Sequence, residues 1–275
     1  MIKNFLFRLS ALCLAASLSG LFFFFARESV PKEGASDRPV RILCAAADTP
    51  DAAPVWNTSD ADISRIDPNR KLVAFTFDDA PDSTLNALVK VFADFNGEHP
   101  ECPASATFFC NGIRMDGSTL SPLKKAFKSG FELGNHTYSH KDLTRLSSED
   151  IRKEMETVDG LLQKIDGKSL HLVRVPYGNF DDKVRKEAKA PLIDWTIDTE
   201  DWKGISPEAI CKAVYDGLRP GAIVLMHDGY KNTVEAAKRL LPELEKRGYQ
   251  TVTVSQLSKA LGFPLAAGKV YSRFR

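Results

Sequence analysis

The sequence predicts an α/β protein: a distorted (β/α) barrel of about seven parallel strands with outer helices. Three observations point to a parallel sheet of this kind. Runs of strand formers alternate with segments of helical periodicity from residue 72 to residue 254. One run, Leu72-Val73-Ala74-Phe75-Thr76-Phe77, ends in two adjacent carboxylates, Asp78 and Asp79, and is stopped by Ala80-Pro81. Residue types that do chemistry recur just after the predicted strands, where the mouth of a parallel barrel lies. About seven β-α units suit a closed or nearly closed barrel better than an open sheet, although alternation alone also allows the latter.

The 275 residues are 43% hydrophobic and 27% charged with a net charge of +1, which describes a globular chain with material for one sizeable core. No basic stripe is present, so a nucleic-acid partner is not expected. At the amino terminus, Lys3 and Arg8 precede an uncharged run from Leu9 to Ala26 that Arg27 and Glu28 close. That charge order reads as an export signal or a membrane anchor over residues 1–27, with the body outside the cytoplasm and held at the membrane if the segment is not cleaved. At ~1.5 Å per residue the run approaches the thickness of a hydrocarbon core, which favours the anchor.

Residues 28–70 are rich in Ala, Asp, Pro and Ser and read as an extracytoplasmic linker, with Trp56 as the one residue expected to pack onto the body. Asn57-Thr58-Ser59 matches a glycosylation acceptor, a weak signal that matters only in a eukaryotic secretory host. The folded body is placed at 71–262 and a short solvated basic tail at 263–275.

Within the body a helix is expected near 83–96, with Leu85, Leu88, Val89, Phe92 and Phe95 at helical spacing and Gly97 at its end. A strand at 104–109, a helix at 119–128 and a strand at 131–133 follow. Ser147 or Ser148 caps the next helix, which runs to about Ile165 with Glu149 and Asp150 in its first turn. Then come strands at 171–173, 192–197, 222–226 and 251–254, separated by helices at 181–189, 206–217 and 232–247.

The chemistry sits at the strand ends. Asp78 and Asp79 follow the first strand, and His136 and His140 follow the third. Arg174 ends the fourth, Asp198 and Asp201-Trp202 follow the next, and His227 follows Ile223 to Met226. Any one of these is an ordinary surface polar residue; five loops carrying such residues on one rim are a site. His136-Thr137-Tyr138-Ser139-His140 has a spacing that, on a helical turn, puts two imidazoles on one side. With Asp79 they make three ligands and leave one position open, the pattern of a catalytic metal site. Asp78 is then a candidate general base and His227 a candidate general acid. Neighbouring strand residues point to opposite faces, so Asp78 and Asp79 share a site only if the chain bends where the strand stops.

Thr76-Phe77-Asp78-Asp79-Ala80-Pro81, His136-Thr-Tyr-Ser-His140, Arg174-Val-Pro176-Tyr177, Asp198-Thr-Glu-Asp201-Trp202 and Leu225-Met-His227 resemble, in order, the five motifs of the polysaccharide deacetylase family, carbohydrate esterase family 4 or NodB homology domain. The resemblance spans about residues 72–258 and implies a distorted (β/α) barrel, a divalent metal (zinc ahead of cobalt) and hydrolytic removal of acetyl groups from a polysaccharide. It further implies that Asp79, His136 and His140 hold the metal, that Asp78 is the base steadied by Arg174, and that His227 is the acid oriented by Asp201. The backbone N–H of Tyr177 would stabilise the oxyanion, and Trp202 and Leu225, beside Pro176, would receive the substrate's acetyl group. Ala80 stands where the family usually has Gly; if the site demands positive φ, its Cβ costs on the order of 1 kcal/mol.

Cys102 and Cys110 are the tempting pair in an exported protein, but an intervening strand at ~3.3 Å per residue separates them by roughly 20 Å, so no bridge is expected. Two classes of function remain at this stage. One is a deacetylase acting on peptidoglycan or another N-acetylglucosamine polymer, with O-acetyl ester or non-sugar amide hydrolysis as variants. The other is a carbohydrate-binding module on the same fold that has lost turnover, for which Ala80 is the only hint.

Overall fold

The computed structural model describes residues 56–274. The expected signal or anchor, most of the linker, Cys13 and Cys44 lie outside them. Among the described residues no helix is long and apolar enough to cross a membrane.

The order is β1 (Lys71–Ala80), α1 (Leu85–Glu98), β2 (Thr107–Cys110), α2 (Leu120–Lys128), β3 (Glu132–Asn135), α3 (Ser148–Asp166), α4 (Asp182–Glu187), β4 (Leu192–Ile193), β5 (Ile197–Asp198), α5 (Pro207–Gly217), β6 (Ile223–His227), α6 (Lys231–Lys246), β7 (Tyr249–Val252), α7 (Val254–Ala260) and β8 (Val270–Tyr271). Every ladder is parallel. β1 is the hub: β6 pairs with Ala74 to Asp78, while the other edge is shared by β7 along Lys71 to Ala74 and β2 from Thr76 on. β3 extends the sheet beyond β2, and single bridges at Val173 lead from Asn135 to Leu192. β5 pairs with β6 and β4 with β8, and among the described residues only single bridges, at Val173 and between Ala222 and Arg273, link the two pieces, so ladders do not close the ring and the barrel is distorted.

β1 is buried along nearly its whole length because both of its faces are covered, which is why it reads as a continuous apolar run. Phe77 stacks on Phe108 at 5.3 Å between centroids and meets Phe92 edge-on at 6.2 Å, so β1, β2 and α1 share one aromatic core. Thr76 is tolerated inside it because its hydroxyl donates to Val224 O at 2.6 Å. Ser147 caps α3, its Oγ accepting from Asp150 N at 3.2 Å, and Gly167 ends the helix in the left-handed region.

Several boundaries differ from expectation for physical reasons. Gly97 does not end α1, which continues to Glu98 and is closed by His99 N–H donating to Phe95 O. The stretch 192–197 is two short strands, since Leu192 and Ile193 serve β8 while Ile197 and Asp198 serve β6. The strand expected at 171–173 reduces to the bridge at Val173, and α7 was not anticipated. Residues 263–274 are not a solvated tail: Leu265 and Phe274 are buried beside Trp56 and Ile66, β8 pairs with β4, and Phe274 N–H donates to Gly221 O at 3.0 Å. Trp56 docks as expected, its N–H donating to Leu265 O at 2.7 Å. Cys102, Cys110 and Cys211 are buried free thiols, in keeping with the expected absence of a Cys102–Cys110 bridge.

Candidate active site

The bend that lets both aspartates face one mouth lies at Asp79. Its φ is 64°, and the β1–β2 register shifts between Phe77 and Ala80, so one extra residue re-aims the chain at the strand end. Ala80 is not among the residues with positive φ; it is fully buried in the core, and the strain expected at its Cβ is absent. Aspartate is one of the few non-glycine residues that enters the left-handed region readily, so the strain is carried by a side chain suited to it.

Asp78 is buried and accepts from Arg174 Nη1 at 2.9 Å. Arg174 is itself wholly buried, and its other two nitrogens are also engaged: Nε donates to Ile193 O at 2.5 Å and Nη2 to Thr76 Oγ1 at 3.1 Å. Its guanidinium lies 4.5 Å from the Phe109 ring centroid. A buried ion pair is tolerated when each nitrogen of the guanidinium has a partner, as here, and the guanidinium fixes where the Asp78 carboxylate sits.

His136 follows β3, and its Nδ1–H donates to Arg174 O at 2.7 Å, which leaves Nε2 with its lone pair toward the aspartates. Nε2 lies 3.7 Å from Asp78 Oδ2 and 4.0 Å from Asp79 Oδ1. His140 Nε2 is 3.7 Å from the same Asp79 oxygen. The segment between the histidines is not the helical turn that the spacing suggested: it is a loop in which Thr137 (φ 63°) and His140 (φ 54°) are left-handed, and this brings the rings to 4.9 Å. One ligand atom each from Asp79, His136 and His140 lies within 4.8 Å of the others. Two imidazoles and one carboxylate at this spacing fit a small divalent cation with ligand bonds of ~2.0–2.2 Å after slight contraction. Burial, and then the neighbouring His136, lower the pKa of His140, which favours the neutral ring that ligation needs.

Pro176, Tyr177 and Gly178 form a tight turn after Arg174. Tyr177 has φ 62°, and a Cβ on Gly178 would lie 2.7 Å from the Trp195 ring, so only glycine fits there. The Tyr177 hydroxyl donates to His140 O at 3.3 Å and lies 3.2 Å from His140 Nδ1, bracing that histidine while the ring remains 64% exposed.

Across the mouth, β6 places His227 beside Asp78. His227 Nδ1 is 2.7 Å from Asp201 Oδ1, and Asp201 Oδ2 accepts from His227 N at 2.8 Å and from Thr233 Oγ1 at 2.5 Å. Burial works against a charged His227, but the Asp201 hydrogen bond and the carboxylates of Asp78, Asp201 and Asp79 outweigh it and raise the pKa. His227 Nε2 has no hydrogen-bond partner among the described residues. Leu225 and Pro176 are buried near the strand ends, and Trp202 is half-exposed with Lys203 Nζ 5.2 Å from its ring.

The structure also brings in residues that sequence reasoning missed. Thr233 and Asn232 hold Asp201, the latter through Asn232 Nδ2 donating to Asp201 O at 3.0 Å. Asp228, raised in pKa chiefly by burial, accepts from Asp82 N at 2.6 Å and Thr84 Oγ1 at 2.6 Å and so ties the loop after β1 to the loop after β6. Behind the histidine loop, Asn135 Oδ1 accepts from Thr137 N at 2.9 Å while its Nδ2 donates to Asp159 Oδ1 at 2.9 Å. Asp159 in turn faces His171 Nδ1 at 2.9 Å.

Residues 65–191 match the family described as Polysaccharide deacetylase. The chain is 36% identical over 195 residues to the peptidoglycan-N-acetylmuramic acid deacetylase PdaC of Bacillus subtilis, covering 70% of this chain and 40% of that protein. Thus it spans about two fifths of that relative's length. It is 38% identical over 199 residues to a peptidoglycan-N-acetylglucosamine deacetylase of Bacillus cereus, covering 69% of this chain and 89% of that one. A solved structure described as T48 deacetylase with substrate superposes with a TM-score of 0.69 at 32% identity, covering 75% of this chain and all of the other.

Proposed function

Because this chain belongs to the polysaccharide deacetylase family, we propose that it removes acetyl groups from N-acetylated sugars of peptidoglycan or another N-acetylglucosamine polymer by metal-dependent hydrolysis. The observation that carries this reading is the convergence of Asp78, Asp79, His136, His140 and the His227–Asp201 pair on one mouth.

Asp79, His136 and His140 hold a divalent cation, zinc ahead of cobalt, given two imidazoles and one carboxylate. When bound, it supplies Lewis acidity, polarising the acetamide carbonyl and acidifying a water. The protein's own residues do the rest. Asp78, fixed by Arg174, takes the proton of the attacking water. The backbone N–H of Tyr177 donates to the oxygen on which negative charge develops. His227, oriented through Nδ1 by Asp201, gives a proton to the leaving nitrogen as the C–N bond breaks, and its raised pKa supports that role near neutrality. Trp202, Leu225 and Pro176 enclose the acetyl methyl.

The binding-module alternative rested on strain at Ala80, and with that strain absent nothing in the site favours it. The test is acetate release by the full-length chain from N-acetylglucosamine oligomers, peptidoglycan and acetylated xylan, after chelation and with zinc or cobalt restored. Metal-dependent release from the N-acetylated glycans is expected. Binding of glycan without acetate release would return the module reading, and release from xylan alone would make the protein an O-acetyl esterase.

The charge-flanked run from Leu9 to Ala26 supports placing the body outside the cytoplasmic membrane, tethered by the residues that follow the run. Protease added to intact cells should then digest the body, whereas full protection contradicts this placement.

A further inference from the structure

A groove of about 520 Å³ opens beside the proposed metal site, lined by His140, Lys141, Asp142, Arg145, Leu146 and Tyr177. Two of its walls belong to the site itself, His140 and the exposed ring of Tyr177, so whatever fills it is continuous with a substrate whose acetyl group is at the cation. Its size falls within the ~300–1,000 Å³ of small-ligand sites.

The charge in this groove is unbalanced. Asp142 is fully committed: Oδ1 accepts from Thr144 N at 3.1 Å and Thr144 Oγ1 at 2.7 Å, and Oδ2 accepts from Asn179 Nδ2 at 3.3 Å and faces Arg145 Nε at 3.4 Å. Those bonds leave it little accepting capacity for a ligand. Lys141 is exposed and makes no ion pair among the described residues. Arg145 engages Asp142 through Nε while its side chain is 84% exposed. One lysine and one arginine against one spent aspartate leave a net positive groove of free donors with Tyr177 as an apolar platform. A neutral acetylated sugar offers nothing to pair with this charge.

We propose that this groove is a subsite for a sugar unit bearing a carboxylate, adjoining the unit that loses its acetyl group, with Lys141 and Arg145 as specificity-determining residues. The proposal rests on the deacetylase reading above. The carboxylate can come from an ether-linked acid, as on muramic acid, or from a uronic acid, and the two sources are separated by the substrates below.

The experiment compares the parent chain with the double variant Lys141→Gln, Arg145→Gln. The substrates are a neutral N-acetylglucosamine oligomer, a peptide-free glycan alternating N-acetylglucosamine with N-acetylmuramic acid, the same glycan with its carboxyls methyl-esterified, and a glycan alternating N-acetylglucosamine with glucuronic acid. For the parent, kcat/KM on one of the acidic glycans should exceed that on the uncharged ones by about tenfold or more, the value of a charged hydrogen bond. The double variant should lose that preference, through KM, while its kcat/KM on the neutral oligomer stays within about twofold. Calorimetric binding of the acidic and esterified glycans is measured in parallel and reads the groove independently of turnover. If no substrate yields acetate, the deacetylase reading fails, and a preference for the acidic glycan in binding that the double variant abolishes still upholds the subsite. Equal handling of acidic and esterified glycans by the parent, or a preference that survives in the variant, overturns it.

Discussion

Two histidines in this molecule, His227 partly buried and His171 fully so, are each bonded to an aspartate: His227 Nδ1 to Asp201 at 2.7 Å and His171 Nδ1 to Asp159 at 2.9 Å. In both, burial opposes the charged ring and hydrogen-bonded carboxylates reverse it, so both pKa values are raised. They part company at the other nitrogen. His171 Nε2 is also pinned, 3.2 Å from both oxygens of Asp166, so both ring nitrogens must donate and only the imidazolium satisfies the pocket. His227 Nε2 has no partner among the described residues and opens on the mouth that holds Asp78 and Asp79. A raised pKa therefore does not distinguish a proton donor from a structural cation; a free nitrogen facing the mouth does. His171 locks a proton into the wall behind the histidine loop, whereas the role proposed for His227 needs a proton on a nitrogen that no neighbour holds.

This contrast breaks cleanly if the two are exchanged as targets. His227→Ala should lower kcat by ~10² to 10⁴ with little change in KM, the usual contribution of a general acid, and with a smaller loss of stability than the His171 variant, because Asp201 keeps its bonds from His227 N and Thr233 Oγ1. His171→Ala should instead cost about 3–5 kcal/mol of stability by leaving Asp159 and Asp166 as buried, uncompensated charges, while folded enzyme keeps most of its kcat. Denaturant titration and acetate-release kinetics on both variants decide this. A His171 variant of normal stability and no turnover would reverse the assignment.

The same contrast sharpens with pH. A folded-state pKa raised above the ordinary value of 6.5 means that the contribution of His171 to stability is complete below about that pH and is lost as pH climbs through the folded-state value. The melting temperature of the parent should fall as the pH rises above roughly 6.5 more steeply than that of His171→Gln. Parallel curves would show that His171 is not the buried cation described above.

The smallest expected effect concerns the strand end that feeds the mouth. Ala80 is wholly buried and lacks positive φ, so Ala80→Gly removes a packed methyl and adds backbone freedom, costing about 1 kcal/mol of stability. A gain in stability would mean that the Cβ is strained after all.

What the sequence made legible is what it carries locally. The apolar run into Asp78-Asp79, the histidine spacing and the strand-end position of His227 each lie within a few residues, and the structure brings them together at one mouth. The geometry of the histidine loop was not legible, because the His136–His140 spacing that suits a helical turn is equally met by a loop with two left-handed residues. Thr233 and Asn232 carried no signal, since their partner Asp201 is some thirty residues away and only the packing of α6 against the loop after β5 joins them. The basic composition of 263–275 concealed Leu265 and Phe274, whose burial depends on partners such as Gly221 far back in the chain.

The most direct test of the account measures bound metal by mass spectrometry alongside acetate release for the parent, Asp79→Ala and His227→Ala. Asp79 supplies one of three proposed ligand groups, so its variant should lose both metal and turnover; His227→Ala should retain the metal at the parent's stoichiometry and lose turnover alone. A His227 variant that loses its metal, or an Asp79 variant that keeps metal and activity, would contradict the division of roles on which the account stands.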